Sequence, residues 1–233
     1  MKTIGIVGGM SWESSLEYYR IINQEVNKRM GGFHSAKIVM VSVDFDEIER
    51  FQQEKDWDAA TRSLVQTAKQ IQAGGADLLL IATNTMHIMF EEIASEINIP
   101  MLHIADAAGR EILARGLKWV GLLGTVFTME MDFYKQRLKE KFDIDVIIPG
   151  KEQREQINTI IFSELVKGII AERSRTKFVD VIAGMKKKGA QAVILGCTEI
   201  PLLISDQDSP IPVIDTTAVH SIAAVEMALR DEY

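Results

Sequence analysis

The chain has 233 residues, of which 47% are hydrophobic and 25% charged, and its formal net charge at pH 7 is −7. These globular proportions exclude a disordered chain, a collagen-like repeat and a disulfide scaffold. The acidic balance, with scattered lysines and arginines, argues against nucleic acid as the main partner. The single cysteine, Cys197, excludes an intramolecular disulfide and fits a reducing compartment.

No segment approaches the roughly 18 apolar residues that a membrane span needs. The apolar start, residues 4–10, is short and contains three glycines, so we interpret it as a buried strand. The sequence therefore predicts a soluble cytoplasmic protein with no membrane partner.

Short apolar runs alternate with amphipathic stretches along the chain. Residues 14–30 and 58–73 carry apolar side chains at helical spacing, and Ser14 with Glu17 has the form of a capping box. This alternation predicts an α/β protein with parallel sheets and right-handed crossovers. The runs that are typical of strands buried on both faces are residues 3–7, 37–43, 77–82, 100–104, 119–123, 144–148, 192–195 and 212–214.

A weak internal repeat joins the two halves of the chain. Residues 4–8 (IGIVG) recur as 120–124 (VGLLG), at an offset of 116 residues. Two further matches follow in the same order: 79–85 (LLIATNT) with 193–199 (VILGCTE), and 99–102 (IPML) with 211–214 (IPVI). Three ordered matches at a nearly constant offset indicate two copies of one βα unit.

Two such halves are expected to form a cleft between the carboxyl ends of two sets of parallel strands, where open α/β sheets bind ligands. The repeat gives Thr83 and Cys197 equivalent positions, each just after a strand. In a pseudo-twofold arrangement they would face one ligand from opposite sides.

Cys197 lies between a buried strand and an expected helix start. A helix N-terminus lowers the pKa of a thiol from about 8.5 toward neutrality, which would make Cys197 a usable base or nucleophile. The alternative is a small buried apolar residue.

Polar residues follow two further predicted strands. Asn84 and Thr85 come directly after Thr83 and suggest a binding site for a carboxylate, although helix capping is the alternative for each. Thr125 and Thr128 follow the turn at 124 and can add hydrogen-bond donors. His87 is interpreted as a helix histidine whose hydrogen bonds are satisfied, with tuning of the site as the alternative.

The sequence resembles the aspartate/glutamate/hydantoin racemase superfamily, and within it the aspartate racemase branch. The segments that carry this resemblance, which extends over essentially the whole chain, are 4–11 (IGIVGGMS), 84–87 (NTMH), 124–125 (GT) and 196–200 (GCTEI). Glutamate racemases usually carry Asp-Ser near the first glycines and a histidine after the second Cys-Thr. Here Gly8-Gly9 and Glu199 stand instead, which favours the aspartate branch or a broader amino-acid racemase.

The resemblance implies proton removal and return at Cα without a cofactor, by two cysteines on opposite faces of an amino acid. Cys197 matches the second cysteine, but Thr83 stands at the first position. We therefore expect Cys197 to deprotonate L-aspartate or L-glutamate and Thr83 to return a proton on the D face, directly or through water. Enantiomers have equal free energy in water, so any L-to-D preference must be kinetic.

The resemblance also implies where a dicarboxylic substrate binds. Asn84, Thr85 and Thr198, with Thr125 nearby, are expected at the α-carboxylate. Lys167 matches the lysine that binds the distal carboxylate, and Arg50 or Gln52 can face it from the other half. For these side chains, a solvated surface position is the alternative. Met10 is expected to line the cleft, with burial in the core as the alternative.

The family architecture implies two three-layer αβα domains, residues 1–98 with 212–233 and residues 99–211. It also implies a homodimer, a small-molecule amino-acid substrate and no cofactor. Dinucleotide binding is disfavoured because the glycines after the first strand lack the G-x-G-x-x-G form. The four histidines lack close metal-ligand spacing, which argues against a zinc site. Two other functions remain open: a one-cysteine decarboxylase or isomerase, and a catalytically weak amino-acid-binding protein.

Overall fold

The strands of the computed structural model, which describes residues 1–230, form two parallel sheets. In chain order they are β1 (Ile4–Gly8), β2 (Ile38–Ser42), β3 (Leu78–Ile81), β4 (Trp119–Gly124), β5 (Asp145–Ile147), β6 (Ala192–Gly196) and β7 (Val213–Asp215). One sheet has the order β2-β1-β3, and the other has the order β5-β4-β6-β7. The expectation of an α/β fold with parallel sheets is confirmed.

Helices connect most of these strands, as parallel pairing requires. They are α1 (Trp12–Met30), α2 (Phe45–Glu54), α3 (Trp57–Ala73), α4 (Phe90–Ser95), α5 (Ile104–Ala114), α6 (Val126–Glu130), α7 (Asp132–Phe142), α8 (Lys151–Ser163), α9 (Glu172–Lys187) and α10 (Thr216–Leu229). Short 3₁₀ helices occur at Thr85–Met89, Leu165–Lys167 and Ile200–Leu202. Among residues 1–230, no helix combines the length and apolarity that crossing a lipid bilayer requires.

The chain divides into two units, of which the first comprises Met1–Ile104 and the C-terminal segment that begins at His220. Its sheet is buried on both faces, because successive side chains of a strand point to opposite sides. Leu78 and Leu80 of β3 pack with residues of α1 and α10. Leu79 and Ile81 of the same strand pack with residues of α3 and α4. This unit therefore has three layers, with helices on both sides of the sheet.

The second unit comprises Ala105–Val219. Leu123 of β4 and Leu195 of β6 belong to a buried cluster that includes side chains from α8 and α9. A partly buried ion cluster joins α5 to α7, because Asp106 accepts hydrogen bonds from Arg137 and Lys141. Burial of Asp106 opposes its charged form, but the two cations keep the pKa of this carboxyl below its usual value.

The prediction of two copies of one βα unit is confirmed, because the repeat in the sequence corresponds to a repeat in strand pairing. In each sheet the first strand of the unit is flanked on one side by the second strand and on the other by the third. Gly5 of β1 and Gly121 of β4 occupy equivalent positions. A Cβ atom at Gly5 would lie 2.5 Å from the Ile71 side chain of α3, and one at Gly121 would lie 2.9 Å from Met185 of α9. Both glycines let a helix pack directly on the central strand.

Two local predictions were wrong. Residues 100–104 do not form a strand, because Met101 makes an isolated bridge to Leu79 and α5 already begins at Ile104. Helix α1 begins earlier than expected, and its N-cap is Ser11, whose Oγ accepts a hydrogen bond from the Ser14 N–H.

The crossings between the two units lie after Ile104 and after Val219. Both are several residues later in the chain than the expected crossings near residues 99 and 211. At the first crossing, Met101 still pairs with Leu79 in the first sheet. At the second, β7 pairs with β6 in the second sheet. Pairing to the edge of each sheet therefore carries the chain beyond the Ile-Pro pairs before it changes unit.

Candidate active site

Cys197 lies directly after β6, at the carboxyl end of the second sheet, and its side chain is 8% exposed. The Cys197 thiol donates a hydrogen bond to Oε2 of Glu199 at 2.9 Å. The Thr198 hydroxyl donates to the same oxygen at 3.1 Å. Glu199 is itself buried, so a carboxylate and the one thiol of the chain are in direct contact with little access to water.

This environment contradicts the expectation of an acidified thiol. Burial raises the pKa of Cys197 well above its ordinary value, and the negative charge of Glu199 is the second cause of this rise. No long helix begins at Cys197, because the following 3₁₀ helix, Ile200–Leu202, has three residues and starts after Glu199. The helix N-terminus on which the expectation depended is therefore missing, and the dominant neighbour is an anion.

Thr125 and Thr128 lie beyond the end of β4 in the same unit. Thr125 is the N-cap of α6, where its Oγ1 accepts a hydrogen bond from the Thr128 N–H at 3.3 Å. The two hydroxyls are also 3.3 Å apart, and both side chains are buried. Their positions after the strand agree with the sequence pattern, and the recorded contacts give them a capping role.

In the first unit, Thr83 lies in a bend between β3 and the 3₁₀ helix Thr85–Met89, and it is partly exposed. Asn84 is the residue before this helix and makes no side-chain capping bond to it. Asn84 and Thr85 are both buried. Within residues 1–230, the Thr83 hydroxyl takes part in no hydrogen bond, which leaves it available to a ligand.

His87 connects this bend to the end of the first unit. Its Nδ1 lies 2.8 Å from the Thr83 carbonyl oxygen, and its Nε2 accepts a hydrogen bond from the Ile104 N–H at 3.2 Å. The ring is buried and lies against the rings of Phe90 and His103. Both ring nitrogens therefore have backbone partners, as expected for a satisfied histidine.

The side chains expected at the rest of the substrate differ in exposure. Met10 is 3% exposed and belongs to the core cluster of the first unit, in agreement with its alternative interpretation. Gln52 on α2 is buried, whereas Arg50 is exposed and its guanidinium carbon lies 5.4 Å from the centre of the Phe51 ring. Lys167 is exposed at the end of the 3₁₀ helix Leu165–Lys167 in the second unit.

A family model described as Asp/Glu/Hydantoin racemase matches residues 7–224. The chain belongs to this racemase family. The match includes the segments around Thr83 and Cys197, and the expected superfamily is confirmed. The expected enzyme class, a PLP-independent racemase, is confirmed with it.

Three relatives show which members of the family this chain resembles. A crystal structure from Yersinia pestis, described as a candidate Asp/Glu racemase, has 48% identity and a TM-score of 0.91 over 98% of this chain and 100% of that chain. An aspartate racemase homologue from Pyrococcus horikoshii OT3 has 36% identity and a TM-score of 0.83 over 98% and 99%. The broad specificity amino-acid racemase RacX of Bacillus subtilis is 25% identical over 174 residues, which are 75% of this chain and 74% of the relative.

Sequence reasoning missed Glu199 as a site residue of this racemase family member. The available signal was a charged residue two positions after Cys197, in a segment that is otherwise apolar or neutral. No periodicity distinguishes a buried glutamate that contacts a thiol from a solvated one. Among residues 1–230, no group of three or more His, Cys, Asp and Glu side chains is arranged to hold a metal ion.

Proposed function

We propose that this protein racemises L-aspartate or L-glutamate, with Cys197 and Thr83 exchanging protons with Cα. The observation that carries the proposal is the hydrogen bond from the Cys197 thiol to Glu199, because it gives the thiol a buried proton acceptor. The racemase family supplies the reaction class. The names of the Yersinia and Pyrococcus relatives support an acidic amino acid as substrate.

The first step moves a proton within the Cys197–Glu199 pair. At rest the proton is on sulfur, since burial and the adjacent carboxylate raise the pKa of Cys197. Transfer to Oε2 of Glu199 breaks the S–H bond and leaves a thiolate beside a neutral carboxylic acid, so the charge of the pair stays at −1. The thiolate then takes the Cα proton from the L face, and Cα keeps the electron pair of the broken C–H bond.

The second step returns a proton on the D face. The Thr83 hydroxyl gives its proton to Cα directly or through a water molecule that it holds. Turnover is complete when the proton on Glu199 leaves to solvent and the Thr83 side regains one. A hydroxyl is a much weaker acid than a thiol, so almost none of it is ionised near neutral pH, and the neutral hydroxyl is a poor base for the reverse reaction from the D-enantiomer. The proposal therefore includes an L-to-D preference in kcat and KM, with the overall equilibrium unchanged.

We assign the α-carboxylate of the substrate to Asn84, Thr85 and Thr198, with Thr125 and Thr128 contributing through the N-terminal turn of α6. Hydroxyls, amides and backbone N–H groups at strand ends bind carboxylates without a cation. The place of these residues directly after β3, β4 and β6 supports the assignment, because ligands of open α/β sheets bind at the carboxyl ends of the strands.

The distal carboxylate is assigned to Lys167 and Gln52, with Arg50 as a further contributor. Within residues 1–230, the side-chain amide of the buried Gln52 makes no hydrogen bond. Its N–H groups can therefore donate to a substrate carboxylate, and Lys167 supplies the positive charge. Met10 is assigned a packing role beside this group, from its place in the core cluster.

A second candidate function follows from Thr83. With one thiol in the chain, a one-cysteine decarboxylase or isomerase needs Cys197 only to protonate a carbanion, and a binding protein needs no proton transfer. In both cases the Cα proton of an amino acid would not be removed from one face and returned on the other. Release of carbon dioxide from a dicarboxylate, or binding without any exchange, would favour these alternatives.

Deuterium exchange tests the racemase proposal. The protein is incubated in D₂O with L-aspartate, L-glutamate and a panel of other amino acids. Loss of the Cα proton is followed by NMR, and the enantiomers are followed by chiral chromatography. We expect exchange and racemisation with the acidic amino acids. Absence of exchange with every amino acid would contradict the proposal.

Variants assign the roles. Cys197→Ala is expected to abolish exchange and racemisation, and Cys197→Ser keeps the shape of the side chain while removing the acidic thiol. Lys167→Ala and Gln52→Ala are expected to raise KM for aspartate and glutamate much more than they lower kcat. An unchanged KM in both variants would remove Lys167 and Gln52 from the distal site.

We also propose that the protein works in the cytoplasm as a homodimer. A mechanism that depends on one free thiol suits a reducing compartment, because Cys197 must stay unoxidised. Light scattering after size exclusion is expected to give twice the chain mass of 26.1 kDa. A monomer mass across the working concentration range would refute the dimer.

A further inference from the structure

The proton of the His87 ring can be placed from its two partners. A backbone N–H can only donate, so Nε2 accepts the hydrogen bond from Ile104 at 3.2 Å. The proton of the neutral ring then resides on Nδ1, which donates to the Thr83 carbonyl oxygen at 2.8 Å. A protonated ring would turn a second donor toward the Ile104 N–H, so this arrangement requires the neutral form.

Neighbouring rings hold His87 in this orientation. Phe90 stacks on it with ring centres 6.0 Å apart, and His103 lies on it with ring centres 4.6 Å apart. His220 contacts it edge to face at 5.7 Å. His220 is also fixed, since its Nε2–H donates to the Leu102 carbonyl and its Nδ1 accepts from the Tyr18 hydroxyl. The imidazole of His87 therefore packs against three rings, which restrict its rotation.

The Thr83 carbonyl lies in the segment between a strand and a 3₁₀ helix and belongs to neither. Strand β3 ends at Ile81, and the 3₁₀ helix begins at Thr85. The last sheet-like bond of this segment is from the Ala82 N–H to the Val7 carbonyl. The carbonyl of the peptide that follows Thr83 thus has a side-chain donor, His87, outside the strand ladder and the helix.

We propose that His87 is a positioning residue for Thr83, which holds the Thr83 peptide so that the hydroxyl is aimed at the D face of the substrate. This inference rests on the role proposed for Thr83 above. It assigns His87 to one half of the reaction: proton return depends on it, whereas proton removal by Cys197 does not.

Two conservative variants separate the hydrogen bonds of the ring. In His87→Asn, the amide nitrogen can take the place of Nδ1 and still donate to Thr83, while the acceptor for Ile104 is lost. In His87→Gln, the amide oxygen can take the place of Nε2 and still accept from Ile104, while the donor to Thr83 is lost. Each variant loses one hydrogen bond and has a similar loss of ring packing, so each controls for the structural cost of the other.

The test compares two rates of the same enzyme in D₂O with L-aspartate. Exchange of Cα–H with retention of the L form reports on Cys197, and formation of the D form reports also on Thr83. For His87→Gln we expect kcat for D-product formation to fall about 10- to 100-fold, with exchange in the L form and KM within about twofold of wild type. His87→Asn should keep more of the racemisation. His34→Gln, at an exposed histidine, should leave both rates unchanged.

Several outcomes overturn the proposal. One is a fall of both rates in the same proportion in His87→Gln. Others are unchanged racemisation in that variant, or equal losses of racemisation in both variants. A wild-type protein that neither exchanges nor racemises would instead overturn the proposed function. If both variants fail to fold, ¹⁵N–¹H NMR of the wild-type protein decides: a proton on Nδ1 of His87 supports the proposal, and a proton on Nε2 or a cationic ring overturns it.

Discussion

The sulfur of Cys197 lies 2.9 Å from Oε2 of Glu199, and both side chains are buried. This contact has opposite effects on two properties of the thiol. The carboxylate raises the pKa of Cys197, so it disfavours loss of the proton to solvent. The same carboxylate is the nearest acceptor for that proton, so it favours local transfer. A substitution that removes the carboxylate should therefore make the thiol more acidic and the enzyme less active.

Glu199→Gln should lower the pKa of Cys197 and also lower activity. Removing the negative charge relieves one cause of the raised pKa, while the amide cannot take up the proton. We expect racemisation and Cα exchange to fall by about 10²- to 10⁴-fold, the usual contribution of a general base. The ultraviolet absorbance of the thiolate, taken as the difference from Cys197→Ala to remove tyrosine ionisation, reports the titration, because the chain has one cysteine. Glu96→Gln, at an exposed glutamate, is the matched control. Full activity, or a higher thiol pKa, would contradict this role.

Thr83→Cys should improve reaction from the D side. A thiol at this position is a stronger acid and, as thiolate, a usable base, so D-aspartate or D-glutamate can be deprotonated there. We expect at least about a tenfold gain in kcat for the D-enantiomer, with a smaller change in kcat for the L-enantiomer. Because the enantiomers have equal free energy, kcat/KM must stay equal in the two directions. Circular dichroism followed in both directions measures the two values. Unchanged turnover of the D-enantiomer would refute the assignment of Thr83 to that face.

The buried thiol should make the protein less stable in alkali. The folded-state pKa of Cys197 is above the value of about 8.5 in an unfolded chain. Its contribution is therefore fully present below the unfolded pKa and is lost as pH rises toward the folded one. Between pH 7 and 9.5, wild type should lose about 1 kcal/mol of unfolding free energy more than Cys197→Ala. Urea titrations at the two pH values measure this, and parallel losses would show that the thiol is not responsible.

Two tyrosines at equivalent repeat positions should respond oppositely to removal of the hydroxyl. Tyr18 and Tyr134 are both fully buried, and they are separated by the repeat offset of 116 residues. The Tyr18 hydroxyl bonds to Nδ1 of His220 at 2.9 Å, whereas the Tyr134 hydroxyl has no hydrogen-bond partner within residues 1–230. Tyr18→Phe should cost about 1–3 kcal/mol because it leaves a buried imidazole nitrogen unsatisfied.

Tyr134→Phe should be neutral or stabilise by up to about 1 kcal/mol, since it removes a buried polar atom without breaking a bond. Urea unfolding of the two variants side by side measures the difference, and each serves as the control for the other. Equal destabilisation would mean that the Tyr134 hydroxyl has a partner in solution, for example a buried water.

Much of the fold could be predicted because it depends on local patterns. Short Ile/Val/Leu runs predict strands buried on both faces, and helical spacing of apolar side chains predicts α1 and α3. The repeat also predicted two copies of one βα unit, and the structure adds that both copies share one strand order. The prediction failed where tertiary contacts decide the local structure. Residues 100–104 have the pattern of a strand, but Met101 makes only an isolated bridge and α5 begins at Ile104.

The pKa of Cys197 and the hydrogen bonds of the site could not be predicted from the sequence. The sequence by itself determined that one thiol, at Cys197, and one hydroxyl, at Thr83, occupy equivalent positions after two buried strands. Only the tertiary structure decided that Glu199 turns back onto the thiol, and that His87 holds the Thr83 carbonyl. The physical reason is that desolvation and hydrogen bonding depend on which groups are buried together. A pKa can therefore move opposite to the direction that local sequence suggests, as it does for Cys197.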